Sequence, residues 1–333
     1  MKTGYFVILG CLGLVFGVVG GLAISGMLPN VPLPWVFAPA PAPKLQTTPE
    51  ELPQDDAAYA AFDQGKYLTA LKLAEEAAAR DDPQAHTLIG RIYAEGLGVG
   101  RDESVAARWY ARGAELGDVQ AMLALGTMLA EGRGVTKDMG LAAEMFEKAA
   151  VTGDPLANYN LGLMFLRGTG KPENPHRAAQ HIQYAAERGI AAAQYDLAVL
   201  YIDGRGVPHD GLEAARWSAR AAEQGLPAAE YDYAVMLLQG RGLKADEAKA
   251  IKYLSSAAEK GVAGAQNRLS HVYAEGAGVD ASPVQAAKWR LIAKTAGVED
   301  ERLDQFVAAL TEDERTEAEK AAEDWQMRKQ IMP

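Results

Sequence analysis

The sequence predicts an all-α protein: a right-handed α-solenoid of helix–turn–helix repeats set behind one N-terminal transmembrane helix. Three observations carry this. Five residue columns recur every 36 positions, without insertion or deletion, over most of the 333-residue chain. Three of those columns are glycines that punctuate helical stretches. An uncharged apolar run stands at the N-terminus, unlike anything that follows it.

The N-terminal element comes first. No charged residue occurs from Thr3 to Pro43, and Tyr5–Leu28 is an apolar run of 24 residues. A helix of that length, at ~1.5 Å per residue, exceeds the ~30 Å hydrocarbon core of a bilayer. Residues 1–28 therefore read as a signal-anchor. Lys2 and the N-terminal amine are the flanking cations, so positive-inside logic expects the N-terminus in the cytoplasm and the rest extracytoplasmic. Two other readings use the same residues. Ala23-Ile24-Ser25 offers a cleavage site, although the run is long for a signal-peptide h-region. Ile8-Leu9-Gly10-Cys11 is lipobox-like, but Cys11 comes too early. Gly13, Gly17 and Gly21 fall on one helical stripe where a second span can approach closely, which is the expected route of any self-association. Residues 29–54 form a spacer: 29–53 hold eight of the chain's 16 prolines, a semi-rigid extended regime.

Composition narrows the function classes. The net charge of −11 argues against a nucleic-acid partner, which requires clustered cations. One cysteine allows neither an internal disulfide nor a cysteine zinc site.

The repeats span residues 85–300. Ala85, Ala121, Ala157, Ala193, Ala229 and Ala265 open the first helix of each unit. Gly96, Gly132, Gly168, Gly204, Gly240 and Gly276 end it, where a left-handed residue is needed. Gly98 and its equivalents continue the turn. Asp102, Asp138, Asn174, Asp210, Asp246 and Ser282 are N-cap residues of the second helix. That helix carries the alanine column Ala106 to Ala286 and an aromatic column of Trp109, Trp217, Tyr253 and Trp289. Gly117 and its equivalents close each unit.

Residues 193–228 show the pattern most fully: Ala193, Leu197, Tyr201, Gly204, Arg205, Gly206, Val207, Asp210, Ala214, Trp217, Ala221, Ala222 and Gly225. This resembles the Sel-1-like repeat (SLR) family, relatives of the tetratricopeptide repeats. Departures are Lys171-Pro172-Glu173-Asn174 in the third turn, His181 in the tryptophan column, and Tyr233-Ala234 where Leu-Gly is usual. Both ends look like caps. Residues 55–84 read as a degenerate repeat with Gly65-Lys66-Tyr67 as its turn. Residues 301–333 read as two capping helices. The second opens with the capping box Thr311-Glu312-Asp313-Glu314 and buries Ala318, Ala321, Ala322 and Trp325.

Chemistry-bearing motifs dissolve into the repeat. Gly96-Leu97-Gly98-Val99-Gly100 is a helix connector and not a phosphate loop, since no strand precedes it. The five histidines lack metal-pair spacing, and Ser255 and Ser256 have no nearby base or orienting acid that suggests a nucleophile. No catalytic, cofactor or metal residue is therefore assigned.

What the resemblance implies is binding. In tetratricopeptide-like solenoids the first helices line the concave face, where partner peptides lie. On that face one column varies: Leu88, Ala124, Asn160, Asp196, Asp232 and Arg268. Seven residues on, it reads Glu95, Glu131, Arg167, Asp203, Gln239 and Glu275. Asn160, Arg167, Asp196, Asp203, Asp232 and Arg268 are the candidate partner-binding residues. Bacterial SLR members act as envelope scaffolds or as regulators of sensor kinases and assembly machinery. The resemblance thus implies a non-enzymatic interaction protein, and the N-terminal apolar run adds the expectation that it is membrane-tethered and extracytoplasmic, periplasmic if bacterial. The alternatives are an envelope enzyme or peptidoglycan-linked accessory, β-lactamase-like, and a cytoplasm-facing adaptor.

Overall fold

The computed structural model describes residues 54–331. The expected membrane span, its glycine stripe and the proline spacer lie outside the described residues. Among the described residues there is no strand, and no helix is long and apolar enough to cross a membrane.

Sixteen helices follow one another among the described residues, divided between two compact units. Residues 54–190 contain α1 (Gln54–Asp63), α2 (Tyr67–Ala78), α3 (Pro83–Glu95), α4 (Glu103–Glu115), α5 (Val119–Glu131), α6 (Met139–Val151), α7 (Pro155–Arg167) and α8 (Pro175–Glu187). Residues 191–331 contain α9 (Ala191–Asp203), α10 (Gly211–Glu223), α11 (Pro227–Gln239), α12 (Glu247–Glu259), α13 (Ala263–Glu275), α14 (Pro283–Thr295), α15 (Glu301–Ala308) and α16 (Glu312–Ile331). Within each unit the odd helix packs on the even helix after it, and the even helix on the next odd one. Each unit is an all-α solenoid of repeated helix pairs. In the second, α16 skips α15 and packs on α14.

The first helix of each repeat starts two residues earlier than the alanine column suggested, at Pro83, Val119, Pro155, Ala191, Pro227 and Ala263. In the first unit a second set of N-caps fixes this start. Asp82, Asp118 and Asp154 accept from the backbone N–H of Ala85 (3.5 Å), Ala121 (2.7 Å) and Ala157 (2.8 Å). All six expected caps of the second helices form as well, from Asp102 on Val105 at 2.9 Å to Ser282 on Gln285 at 3.3 Å. Each satisfies an orphan helix N–H and contributes ~1 kcal/mol.

Both glycines of the turn are left-handed, and the second also packs against the neighbouring repeat. Gly96 and its equivalents are left-handed, with φ from 65° at Gly204 and Gly240 to 77° at Gly132. The Gly98 column answers to packing between repeats. A Cβ on Gly134 would fall on the carbonyl of Glu103, one on Gly170 on that of Met139, and one on Gly242 on that of Gly211. Those three carbonyls belong to the first residues of α4, α6 and α10, so each turn lies directly on the start of the preceding repeat's second helix. The alanine columns are equally constrained: Ala106, Ala142, Ala178, Ala214, Ala250 and Ala286 are all 0% exposed, at the crossing of paired helices.

The departures from the pattern have local accounts. His181 keeps the aromatic role, stacked on Phe165 with ring centroids 5.7 Å apart, and its Nδ1 lies 2.9 Å from Asn158 Oδ1. Burial and the nearby Arg177 push its pKa down. Lys171 ties its turn to the preceding repeat by donating to Glu147 at 2.7 Å. At the C-terminal end the capping box forms, with Thr311 N–H donating to Glu314 at 3.0 Å and Glu314 N–H to Thr311 Oγ1 at 3.3 Å. Ala318, Ala322 and Trp325 are buried, and Trp325 meets Trp289 edge to face at 6.0 Å.

Candidate functional site

The faces of α11 and α13 follow from helical spacing. On α11, Ala229, Glu230, Tyr233, Ala234, Met236 and Leu237 are buried. The opposite face carries Ala228, Tyr231, Asp232 and Val235, all half-buried, and Gln239, exposed. On α13 the same positions hold Gly264, Asn267, Arg268, His271 and Glu275. These are the i, i+3, i+4, i+7 positions that share one side of a helix.

The six candidate residues are divided between the two units. Asn160 and Arg167 belong to the first unit; Asp196, Asp203, Asp232 and Arg268 belong to the second. Asn160 is 2% exposed, and its amide Oδ1 has no hydrogen-bond partner among the described residues. Arg167 is half-buried. Asp196 is buried and Asp203 exposed at the end of α9. Asp232 and Arg268, on α11 and α13, are both half-buried at equivalent positions of successive repeats.

Two tyrosines that the sequence reading passed over organise this region. Tyr195 of α9 donates its hydroxyl to Asp232 Oδ2 at 2.7 Å. The Tyr231 ring packs over Gly264, where a Cβ would come within 3.0 Å of it. Burial pushes the Asp232 carboxyl above the usual carboxylate range, and the Tyr195 hydrogen bond only partly opposes this. Burial also raises Tyr231, with Arg268 opposing and Asp232 reinforcing the shift, so the ring feels both charges. The available signal was the column itself: Tyr159, Tyr195 and Tyr231 stand 36 apart, beside the variable one.

Beneath this face the polar groups are paired. Arg290, 1% exposed, donates to Asp304 (2.8 Å), Asn267 (3.0 Å) and the Val298 carbonyl (2.9 Å). Asp300 accepts from Asn267 at 2.8 Å and lies 2.7 Å from His271 Nε2. Burial pushes the Asp300 carboxyl up, but hydrogen bonds from Asn267, the Leu303 N–H and His271 outweigh it and hold it below the usual range. The earlier reading of Ser256 needs correcting, because an acid does stand beside it. Ser256 donates to Glu230 Oε1 at 2.8 Å, and Lys260 pairs with the same oxygen at 2.7 Å. That oxygen is thereby engaged as an ion-pair partner. The open recess formed by Arg101, Asp102, Glu103, Ser104 and Gly134 is likewise self-paired, since Arg101 and Arg133 both bind Glu103. Among the described residues no cluster of three or more His, Cys, Asp or Glu side chains could hold a metal ion.

The period, the caps and the packed glycine turns define a family. The Sel1 repeat model matches residues 83–118, 119–150, 155–190, 191–226, 227–262 and 263–297, more than half of the chain. The chain belongs to the Sel1 repeat family. Solved Sel1 relatives have the same architecture. A Sel1 repeat protein from Oxalobacter formigenes is 28% identical with a TM-score of 0.66, covering 75% of this chain and 100% of its own. A protective antigen of uropathogenic Escherichia coli strains, displaying an SLR fold, is 27% identical with a TM-score of 0.56. That match covers 82% of this chain and 68% of the antigen. A search of curated protein sequences finds no match. Sel1 repeat proteins generally mediate protein–protein interaction and are generally non-catalytic.

Proposed function

We propose that this Sel1 repeat protein is a non-enzymatic scaffold or regulator of the bacterial cell envelope. Residues 5–28 tether it in the membrane, the proline spacer holds the repeats off the bilayer, and the repeats face the extracytoplasmic side. Its partner is another protein, bound on the first-helix faces. One observation carries the binding reading: Asp232 and Arg268 occupy the side of α11 and α13 opposite the fully buried residues, and neither has a counter-charge among the described residues, Asp232 being held only by the neutral Tyr195 hydroxyl. Asn160, Arg167, Asp196 and Asp203 are assigned to partner contacts on the same positional logic. The apolar, uncharged Tyr5–Leu28 run supports the tether.

Photo-crosslinking in cells tests the binding face. A photoreactive residue replacing Val235, on that face, should capture protein. The same residue replacing Lys252, exposed on α12, should not. Equal capture from both positions overturns the face assignment. A compartment-specific reporter fused after Pro333 tests the topology, and a cytoplasmic signal overturns it. Gly17→Leu should weaken association of the spans; an unchanged association constant removes the glycine stripe from consideration.

A further inference from the structure

Asp232 and Arg268 differ from the ion-paired charges of the second unit. Glu230 is paired with Lys260, Arg290 with Asp304, and His271 lies against Asp300. Asp232 has a single neutral partner, the Tyr195 hydroxyl. Arg268 has no hydrogen bond or ion pair among the described residues. The two charges are opposite in sign and sit on successive repeats, yet they do not pair with each other. Tyr231, packed over Gly264, is held near both. A partly desolvated charge without a counter-charge is unfavourable to the fold, and a bound partner that supplies one removes that cost. Ala228 and Val235 on α11, and Val199 on α9, flank the charges with half-buried apolar surface.

We propose that the α11–α13 face recognises an extended segment of a partner protein through these two charges. The partner's Lys or Arg pairs with Asp232, and an Asp or Glu about three residues away pairs with Arg268, because helices pack about 8–10 Å apart and an extended chain advances ~3.3 Å per residue. Charge complementarity sets the occupant. Nucleic acid is disfavoured by Asp232, and a uniformly acidic or basic segment meets one repulsive position. This inference rests on the binding face proposed above and names the chemistry it reads.

Immobilised peptides test it against the full-length chain in detergent. One set carries Lys-Xaa-Xaa-Glu and its reverse, a second Lys-Xaa-Xaa-Lys, a third Glu-Xaa-Xaa-Glu, with Ala or Val at Xaa. The mixed-charge set should be retained about tenfold or more over either like-charged set. Arg268→Glu should shift the preference to the doubly basic set, and Asp232→Lys to the doubly acidic set. Asp232→Glu and Arg268→Lys should keep the original ranking. Where a reversal variant fails to fold, Asp232→Asn or Arg268→Gln should lose discrimination at one position only. Equal retention of all sets, no retention of any, or a ranking indifferent to the variants overturns the inference. Crosslinks from Val235 that persist at full yield in both reversal variants overturn it while leaving the binding face standing. Absence of any crosslink from Val235 overturns the face itself.

Discussion

The two units build the same repeat with different local chemistry. In residues 54–190 the first helices are capped by Asp82, Asp118 and Asp154, and Asp118 also accepts from Thr87 Oγ1 of the preceding repeat at 2.7 Å. In residues 191–331 the equivalent positions before α11 and α13 are Leu226 and Val262, which make no side-chain cap. Both instead join the apolar core of that unit. The pairing across the two helices also changes. Gly90, Gly126 and Gly162 face Tyr110, Phe146 and Ile182 so closely that a Cβ would come within 2.7–2.8 Å of those side chains. The later repeats carry Ala198, Ala234 and Ser270 against Ser218, Leu254 and Arg290 in the same columns. A backbone repeat is thus compatible with either polar capping or apolar burial at a junction, and with glycine, alanine or serine opposite residues as different as Tyr110, Ser218, Leu254 and Arg290. Compensation between partners, not identity at one position, preserves the fold.

Substitutions can break this comparison. The largest effect is expected at Arg290, where the second unit replaces an apolar column with a buried cation. Arg290→Met leaves Asn267 Oδ1 and the Val298 carbonyl without this donor, while Asp304 keeps Lys294 at 3.3 Å, and should cost about 3 kcal/mol, read as hydrogen-exchange protection lost in α13–α15. An unchanged exchange pattern would show that the later repeats tolerate the apolar column of the earlier ones. Next comes the contact both units share. Gly242→Ala drives a Cβ into the Gly211 carbonyl, and overpacking plus left-handed strain should cost roughly 2–4 kcal/mol. Gly261→Ala has open space and only its φ of 96° to oppose it, so it should cost about 1–2 kcal/mol. Equal losses on denaturant unfolding would remove packing as the reason for the Gly98 column.

The caps test the comparison more finely. Asp154→Ala should cost ~1 kcal/mol. Val262→Asp, at a half-buried junction already in extended backbone, should lie within about 1 kcal/mol of neutral because a new cap offsets lost apolar contact. A cost well above that would mean the second unit depends on apolar junctions.

The smallest effects are protonic and opposite in sign. Asp232 binds its proton more tightly in the folded chain, since burial raises its pKa. Its ionisation therefore opposes folding once pH rises through the raised value. Asp232→Asn should raise Tm at neutral pH, by less than about 1 kcal/mol in stability, and the gain should vanish below the unfolded carboxylate pKa of ~3.9. Asp300 is held low, so its contribution is present above the unfolded pKa and is lost as pH falls through its folded value. Asp300→Asn should lower Tm at neutral pH and converge with the wild type in acid. Thermal melts across pH 2–8, a range of roughly two units below to four above that pKa, check both.

Much of the fold was legible because its determinants are local. The caps act over three residues, as Asp102 does on Val105, and the left-handed glycines sit where the chain turns. The missed caps at Asp82, Asp118 and Asp154 show where local reading slipped: the alanine column drew the boundary two residues late. The candidate site was legible only as a list of positions. A variable polar column marks Asn160 and Asp232 alike, yet one is 2% exposed with an orphaned amide oxygen and the other is half-buried beside Tyr195.

Period, helix order and the ends of the second helices were determined by the sequence alone, because each depends on residues a turn or less apart. Tertiary structure decided which polar side chains are consumed. Tyr195 reaches Asp232 across 37 residues, Lys260 reaches Glu230 across 30, and Arg290 reaches Asn267 across 23. Burial and pairing are properties of neighbours brought together by stacking. That Asp232 and Arg268 lack a counter-charge among the described residues therefore emerges only when the repeats are packed.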